Sequence, residues 1–246
     1  MSKLQVQNLS FRYEKEPLLD GVSFSVEEGE FISILGPSGC GKSTILNLLA
    51  GILTPEGGRM RVDGTDIAGR SAHFAYMPQN DLLFPWKTIA QNVCLHGKLH
   101  GREREQRRQA LPLFPAFGLA GYEDAYPGEL SGGMRQRAAF LRTALCEADI
   151  LLLDEPFGAL DVISREDMQD WLISMKAQLG RTCLLVTHDI DEAIYLSDRI
   201  LVLGGAPAQI RGEVAIPERN RTRDWLYAQS ELRKRLHGLI RGSKSA

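Results

Sequence analysis

The segment from Gly36 to Thr44 combines glycines with a lysine and hydroxyl side chains in an order suited to holding phosphate. It consists of Gly36, Pro37, Ser38, Gly39, Cys40, Gly41, Lys42, Ser43 and Thr44, and it fits the pattern G-x-x-x-x-G-K-[ST] between a strand-like and a helix-like segment. The glycines let successive N–H groups face one anion, and a helix beginning near Gly41 adds its positive end. We predict that Lys42 reaches the β- and γ-phosphates and that Ser43 ligates Mg²⁺. A glycine-rich turn capping an ordinary helix is the alternative, and the later motifs weigh against it.

Two adjacent carboxylates follow the apolar run 150–153. This run is predicted to be a strand buried on both faces, so Asp154 and Glu155 come at its end. Asp154 suits the oxygen shell of Mg²⁺, and Glu155 suits a base that polarises a water for attack on the γ-phosphorus. An acidic pair that caps the next helix is the alternative. It fits poorly because residues 156–161 intervene before a helix can begin.

A histidine and a glutamine end two further strand-like segments. His188 follows the apolar run 183–187, and Gln79 follows 75–78. Because ligands bind at the strand ends of a parallel sheet, His188 is the candidate functional histidine. A lone glutamine means little, but Gln79 comes after a phosphate loop and is a candidate for reaching Mg²⁺ and the attacking water. The other histidines are interpreted as surface or packing residues, and they are His73, His96, His100 and His237.

A second helix N-terminus is predicted at Ser131, Gly132 and Gly133. This turn opens a helical pattern that continues through 140–145, and its free backbone donors form a second candidate anion site. Tyr13 precedes the segment that feeds the first loop and is a candidate for stacking on an adenine ring. An exposed strand tyrosine is the alternative. The chain therefore has two predicted sites for phosphate.

The elements that must position these residues alternate between strands and helices. Apolar and polar residues alternate along 4–13 and 22–26, which predicts half-exposed strands, whereas 31–35 is apolar enough to be buried on both faces. Residues 57–64 carry a β-hairpin signal. From about 87 to 145 helical patterns replace the strand patterns, which predicts a helical lobe inserted between two halves of an α/β core.

Composition and charge describe an ordinary globular chain. The 246 residues are 43% hydrophobic, and 29 basic against 31 acidic residues give a net charge of −2, so no nucleic-acid footprint appears. No apolar run approaches the roughly 20 residues that span a bilayer, and the first residues lack the core of a signal peptide. We therefore expect a cytosolic chain that reaches a membrane only through a partner.

The C-terminal stretch is locally basic. From Arg211 onward nine Lys and Arg residues stand against four acids. The pattern favours a solvated helical tail, and contact with anionic lipid or with a partner is the alternative.

Four cysteines are scattered along the chain without a C-x-x-C pair, and they are Cys40, Cys94, Cys146 and Cys183. This spacing argues against a zinc site and against a disulfide framework, so reduced thiols are expected. Cys40 lies inside the phosphate loop at a helix N-terminus, which we expect to lower its pKa. Oxidation of Cys40 is therefore predicted to disturb nucleotide binding.

Taken in order, these motifs resemble the ATP-binding subunit of ABC transporters over roughly residues 3–215. The residues that carry the resemblance are Tyr13, the loop 36–44, Gln79, 130–136, 150–155, Leu160, Asp161 and His188. The Ser-Gly-Gly motif ahead of the Asp-Glu strand is the discriminating feature, since other phosphate-loop ATPases lack it. The resemblance implies an α/β fold: a phosphate-loop NTPase (RecA-like) core with an N-terminal antiparallel β-subdomain and an α-helical subdomain inserted at about 87–145. The ATPase domain would span 1–215, and a basic helical tail would span 216–246.

The resemblance also implies a division of roles between two copies of the chain. Two subunits would associate head to tail, each holding ATP and Mg²⁺ between its own loop and the partner copy's Ser-Gly-Gly turn. The implied roles are adenine stacking for Tyr13, phosphate and Mg²⁺ contacts for Lys42 and Ser43, Mg²⁺ and coupling for Gln79, the metal shell for Asp154, the general base for Glu155, a cross-subunit contact for Asp161 and a γ-phosphate contact for His188. Hydrolysis would then depend on positioning and charge neutralisation.

Within that family, residues 80–93 and 155–161 resemble importers of the nitrate, sulfonate and taurine group, which also includes transporters of thiamine-precursor pyrimidines. Such a subunit would lie on the cytoplasmic face of the inner membrane and bind permease subunits, with an extracytoplasmic solute-binding protein as an indirect partner. The cluster Phe84-Pro85-Trp86 would help to receive a permease helix, and a packed aromatic corner is the alternative. Pro112 and Pro115 stand where the family usually continues a helix, so we expect a kink or break there.

Two other functions stay open at the sequence level. One is a non-transport ATPase of the same fold, such as a DNA-repair or translation factor, although no second ATPase unit, sustained heptad or cysteine cluster is present. The other is a nucleotide-binding regulatory module without turnover, against which the joint presence of Glu155 and His188 argues.

Overall fold

A computed structural model describes residues 2–67 and 71–242 of the chain. Its strands are β1 (Ser2–Tyr13), β2 (Glu16–Glu27), β3 (Phe31–Leu35), β4 (Gly57–Val62), β5 (Thr65–Asp66), β6 (Phe74–Met77), β7 (Ile150–Asp154), β8 (Thr182–Thr187), β9 (Arg199–Gly205) and β10 (Ala208–Ala215). Its helices are α1 (Lys42–Leu49), α2 (Ile89–Val93), α3 (Leu95–Leu99), α4 (Glu103–Ala110), α5 (Gly132–Ala144), α6 (Val162–Leu179), α7 (Ile190–Leu196), α8 (Arg223–Tyr227) and α9 (Ser230–Arg241). Strands predominate over residues 2–77 and helices over 89–144, and the two alternate from 150 to 205.

The strands of the described residues form one sheet in the order β5-β4-β1-β2-β10-β9-β3-β8-β7-β6. The strands β9, β3, β8, β7 and β6 run parallel, whereas β2, β1, β4 and β5 form an antiparallel half. The two halves meet where β10 pairs with β2, with Ala208 opposite Leu19. This is the fold of a phosphate-loop NTPase with an N-terminal antiparallel extension.

The central strands are buried on both faces because their side chains are apolar on both sides. Every residue of β3, β7 and β8 is buried, as expected for a parallel sheet covered twice. Along β3, Phe31 and Leu35 pack with the residues of α5, α6 and α7, whereas Ile32 and Ile34 pack with α1 and the antiparallel half. The sheet therefore separates two apolar cores, and its carboxyl edge is held rigidly between them.

The segment between β6 and β7 is mainly helical. Its helices are α2, α3, α4 and α5, and α4 ends at Ala110. A single 3-10 turn follows over Leu111–Leu113, with Pro112 among its first residues. The predicted break at the prolines is confirmed, because a proline ring inside a helix removes one backbone hydrogen bond and clashes with the preceding turn.

Residues 216–242 turn back onto the core. The side chains of Leu226 and Leu236 are buried in the same apolar core as α6 and α7. Arg233 of α9 forms an ion pair with Asp191 of α7, with Nε 2.6 Å from Oδ1. At least one basic side chain of this stretch is therefore paired with an acidic side chain of the same molecule.

Among residues 2–67 and 71–242, no helix combines the length and the apolar character needed to cross a bilayer.

Candidate functional site

The loop 36–44 wraps around the ammonium group of Lys42. This side chain is 4% exposed, and its Nζ donates to the carbonyl oxygens of Gly36 and Pro37 at 2.9 Å each. Gly41 caps α1 at a φ of 103°, in the left-handed region that favours glycine. A Cβ on Gly36 would lie 2.5 Å from the carbonyl oxygen of Leu203, so only glycine fits there. The loop thus places its backbone N–H groups and the buried ammonium of Lys42 at the carboxyl end of β3.

A hydroxyl and a carboxylate meet beside this loop. The Oγ of Ser43 donates to Asp154 Oδ1 at 2.8 Å, and the phenol of Tyr76 donates to Asp154 Oδ2 at 2.9 Å. Asp154 is 5% exposed, and burial raises its pKa while the two hydroxyl donors oppose the rise. Ser43 and Asp154 come together as the sequence predicts. Tyr76 was missed, because its role depends on the pairing of β6 with β7.

Three other predicted residues converge on the carboxylate of Glu155. Its Oε1 lies 3.8 Å from Lys42 Nζ, and its Oε2 lies 3.1 Å from His188 Nδ1. The amide of Gln79 donates to the same Oε2 at 3.4 Å. Lys42 opens α1 after β3, and the other three residues follow the ends of β6, β7 and β8; these four strands lie side by side in the sheet. A carboxylate, an ammonium, an imidazole and an amide thus face one small volume.

The backbone aims the carboxylate of Glu155. Its φ is 43°, an uncommon value for a residue with a side chain. Its N–H donates to Val186 O at 2.9 Å, which fixes the turn to β8. Strain of this kind costs on the order of 1–3 kcal/mol and is concentrated at functional sites. The position is therefore held by the sheet and not by local preference.

A second corner of the molecule contains two helix N-termini. Ser131 caps α5 by accepting from Met134 N, and Asp161 caps α6 by accepting from Ser164 N at 3.1 Å. A Cβ on Gly132 would lie 3.5 Å from the side chain of Leu160, so the two caps are neighbours. The hydrogen bond from Ser164 lowers the pKa of Asp161. Among the described residues, no hydrogen bond joins this corner to the loop 36–44.

Tyr13 lies at the end of β1 in the antiparallel half. Its side chain is 52% exposed and meets Phe11 edge to face, with ring centroids 4.9 Å apart. About half of this side chain is therefore accessible to a planar partner.

The prediction for the Cys40 thiol is wrong in sign. Burial raises the pKa of Cys40, and the nearby Lys42 only partly opposes this effect. Desolvation of the thiolate outweighs the helix end and the lysine charge. The thiol is correspondingly less nucleophilic than an ordinary cysteine at neutral pH.

The helix α5 is tied to the segment after Gln79 by side chains that sequence reasoning missed. Arg135 Nε donates to Asp81 Oδ2 at 3.2 Å, and Arg142 donates to Asp81 O at 2.6 Å. The buried Gln136 donates to Gln79 O at 3.5 Å. The only signal in the sequence is the set of long polar side chains within a helix that otherwise packs on the core. These contacts connect the corner of Ser131 to the convergence around Glu155.

The doubly covered parallel sheet and the loop around Lys42 define a phosphate-loop NTPase. A profile described as "ABC transporter" matches residues 19–158, more than half of the chain. The chain therefore belongs to the ABC transporter family.

Curated relatives and solved structures agree with this placement. The taurine import ATP-binding protein TauB of Yersinia pestis bv. Antiqua is 43% identical over 208 residues, which are 84% of this chain and 82% of that protein. The formylaminopyrimidine import ATP-binding protein ThiZ of Halalkalibacterium halodurans is 43% identical over 216 residues, 87% of this chain and 84% of that protein. A dimeric, post-hydrolysis structure of the ATP-binding cassette MJ0796 bound to ADP and Pi superposes with a TM-score of 0.72 at 28% identity, covering 87% of this chain and 99% of that one.

Proposed function

We propose that the chain is the ATP-hydrolysing subunit of an importer, which energises the uptake of a small solute through a separate membrane permease. The names of its relatives support import, since one imports taurine and another formylaminopyrimidine. The solute class that we propose is nitrate, sulfonate or taurine-like, or a thiamine-precursor pyrimidine. The same names favour the importer over a non-transport ATPase such as a DNA-repair or translation factor.

The observation that carries this proposal is the convergence of Lys42, Gln79 and His188 on the carboxylate of Glu155. When ATP binds, Lys42 moves from the loop carbonyls to the β- and γ-phosphates, and His188 contacts the γ-phosphate. Glu155 takes the proton of the attacking water, and Gln79 orients that water and senses the metal. Such a site works by positioning and by neutralising charge, which is what phosphoryl transfer requires.

The cradle for ATP extends along the whole loop. The backbone N–H groups of the loop 36–44, apart from Pro37 which has none, hold the phosphates, and Tyr13 stacks on the adenine. Ser43, Gln79 and Asp154 would hold Mg²⁺, and their oxygens fit it, because Mg²⁺ takes one or two protein carboxylates or hydroxyls and fills its shell with phosphate and water. The 2.8 Å contact between Ser43 Oγ and Asp154 Oδ1 already brings two such oxygens together. The ion would neutralise charge on the phosphates when bound.

A second copy of the chain completes the site. The turn of Ser131, Gly132 and Gly133 presents a helix N-terminus, which suits an anion, but its contacts within the chain are with the start of α6. We propose that it receives the γ-phosphate held by another copy, in a head-to-tail dimer, and that Asp161 contacts that copy. The dimeric state of the MJ0796 cassette supports this arrangement.

The permease contact is proposed at an exposed apolar cluster next to Gln79. Leu82 and Trp86 are 60% and 70% exposed, and the rings of Phe84 and Trp86 lie 5.3 Å apart. A large exposed aromatic surface marks an interaction site in a globular protein. We place the protein on the cytoplasmic face of the inner membrane as a peripheral subunit, with an extracytoplasmic solute-binding protein acting only through the permease and with no nucleic-acid partner.

We also propose that residues 1–215 form the ATPase domain, with the helical subdomain at about 87–145, and that 216–246 form a basic, helical C-terminal tail. Leu226 and Leu236 of this tail are buried in the core, where they pack against the rest of the chain.

The test is the dependence of ATP hydrolysis on the concentration of the purified chain. A site shared by two copies predicts a rate that rises with the square of the protein concentration at high dilution and linearly once the dimer is saturated. A rate that is linear throughout, from a chain shown to be monomeric by light scattering, would overturn the shared site.

A further inference from the structure

A guanidinium and a buried carboxylate face each other between α6 and α7. Glu192 is 5% exposed. The Nε of Arg165 lies 4.0 Å from Glu192 Oε1, and its Nη1 lies 3.9 Å from Asp189 Oδ2. This Nε is buried and has no hydrogen-bond partner among the described residues. Because a buried donor without an acceptor is costly, a movement of about 1 Å that closes the gap would be favourable.

Arg165 is tied to the segment that carries Asp161. Its Nη2 donates to Leu160 O at 3.2 Å, and its backbone N–H donates to Asp161 O at 2.9 Å. Leu160 packs next to the glycines that begin α5. The guanidinium therefore follows any displacement of Leu160 and Asp161.

Glu192 is tied to the turn that carries His188. Its Oε2 accepts a hydrogen bond from Thr187 Oγ1, and the same Oγ1 accepts from Asp189 N at 3.0 Å. Thr187 and Asp189 flank His188, whose Nδ1 is 3.1 Å from Glu155. The side chain of His188 is 53% exposed, so few direct contacts hold it. The backbone on either side of it is instead linked to Glu192 through the hydroxyl of Thr187.

We propose that Arg165 and Glu192 are positioning residues that transmit the arrival of a second copy at Asp161 to His188. This inference rests on the proposed function, in which Asp161 contacts the other copy and His188 contacts the γ-phosphate. When the other copy holds the segment of Asp161, the guanidinium closes onto Glu192 and the turn at His188 is fixed. In a single copy the gap stays open, and the imidazole is less restrained.

The pairing requires an ionised Glu192. Burial raises the pKa of Glu192 to about 7, and Asp189 adds to the rise, whereas Thr187, Arg165 and His188 oppose it. Asp189, Arg165 and His188 are the charged and titratable groups that face it from α6 and from the β8–α7 turn. The fraction of chains that can form the pair therefore falls as the pH falls through about 7.

The test compares Glu192→Gln, Arg165→Gln and the double variant with the parent chain. We expect each single change to lower kcat for ATP about tenfold, which corresponds to about 1.4 kcal/mol of transition-state stabilisation. Binding of a fluorescent ADP analogue should stay unchanged, since neither residue touches the loop. The double variant should be no slower than the worse single one, because both changes remove one interaction. Asp167→Asn, on the solvent face of the same helix, is the matched control and should behave as the parent.

The pH profile distinguishes positioning from mere support of the fold. The acidic limb near pH 7 in the parent should lose the contribution of Glu192 in Glu192→Gln. Arg165→Gln should lose the same contribution, because no guanidinium is left for the ionised Glu192 carboxylate to pair with. If Glu192→Gln fails to fold by thermal melting, the profile of Arg165→Gln decides.

Unchanged kcat in the single variants, additive losses in the double variant or an acidic limb that either single variant retains unchanged would each overturn the inference. These outcomes are separate from failure of the proposed function. That failure would appear as normal turnover in Glu155→Gln, whatever Glu192 does.

Discussion

Replacing Glu155 with glutamine separates nucleotide binding from hydrolysis. The carboxylate lies 3.8 Å from the ammonium of Lys42. At that distance two unit charges attract by about 1 kcal/mol with the dielectric constant of water and about 4 kcal/mol with an effective value of 20. The glutamine keeps the shape of the side chain but removes this attraction and the negative charge that would face a γ-phosphate. ATP binding should therefore become tighter, by at least about fivefold for the lower figure.

Hydrolysis should change in the opposite direction. A positioned general base contributes about 10²–10⁴-fold to a rate, and an amide cannot accept the proton of the attacking water. We therefore expect kcat to fall at least about a hundredfold while the affinity for ATP rises. Because the dimer cannot hydrolyse its ATP, a long-lived ATP-bound dimer should accumulate.

Phosphate release under single-turnover conditions measures the loss of hydrolysis, and calorimetric titration with ATP measures the gain in affinity. Gel filtration in ATP detects the dimer. Glu105→Gln removes an exposed carboxylate from the helical lobe and serves as the control with parental values. A kcat of Glu155→Gln within about threefold of the parent would refute the assignment of Glu155 as the base. Weaker ATP binding would refute the electrostatic argument.

Other substitutions test the remaining parts of the site and the fold. Lys42→Ala removes charge-assisted hydrogen bonds worth about 1.5–3 kcal/mol each, so ATP affinity measured by calorimetry should fall at least about tenfold, and an unchanged affinity would show that the loop is not the site. Ser131→Arg should leave ATP binding by the monomer unchanged but abolish phosphate release, and normal release would mean that the second anion site is idle. Because its thiol pKa is raised, Cys40 should react with iodoacetamide more slowly than free cysteine at pH 7 and faster as the pH rises, with ATP giving protection; a faster reaction at pH 7 would contradict the burial argument. Leu236→Ala should lower the free energy of unfolding by about 2–5 kcal/mol in urea titrations, whereas the exposed Lys234→Ala should change it little.

The sequence predicts most of the fold and of the site because the chemistry lies in short local patterns. The loop around Lys42 is specified by glycines at fixed spacing, and Asp154 and His188 each follow an apolar run that can only be a buried strand. Parallel strands end at one edge of a sheet, so their final side chains must converge. The break after Ala110 was predictable for the same reason, since Pro112 acts on the backbone next to it.

What the sequence did not predict depends on contacts between distant segments. Tyr76 reaches Asp154 only because β6 pairs with β7, and Arg165 meets Glu192 only because α6 packs beside α7. No local pattern specifies either contact. The error at Cys40 has the same origin, since the helix end is visible in the sequence but the burial that outweighs it is not.

The seating of α9 on the core affects how deletion experiments on this protein should be interpreted. Shortening the chain at residue 215 would strip away Leu226 and Leu236 and leave solvent where they now pack. Loss of uptake in such a shortened chain would first have to be attributed to destabilisation of the fold, before any regulatory role of the C-terminus is inferred. Single charge changes on the exposed side of α9, such as at Arg235, leave the packing of α9 on the core intact. They therefore test more directly whether the C-terminus controls transport.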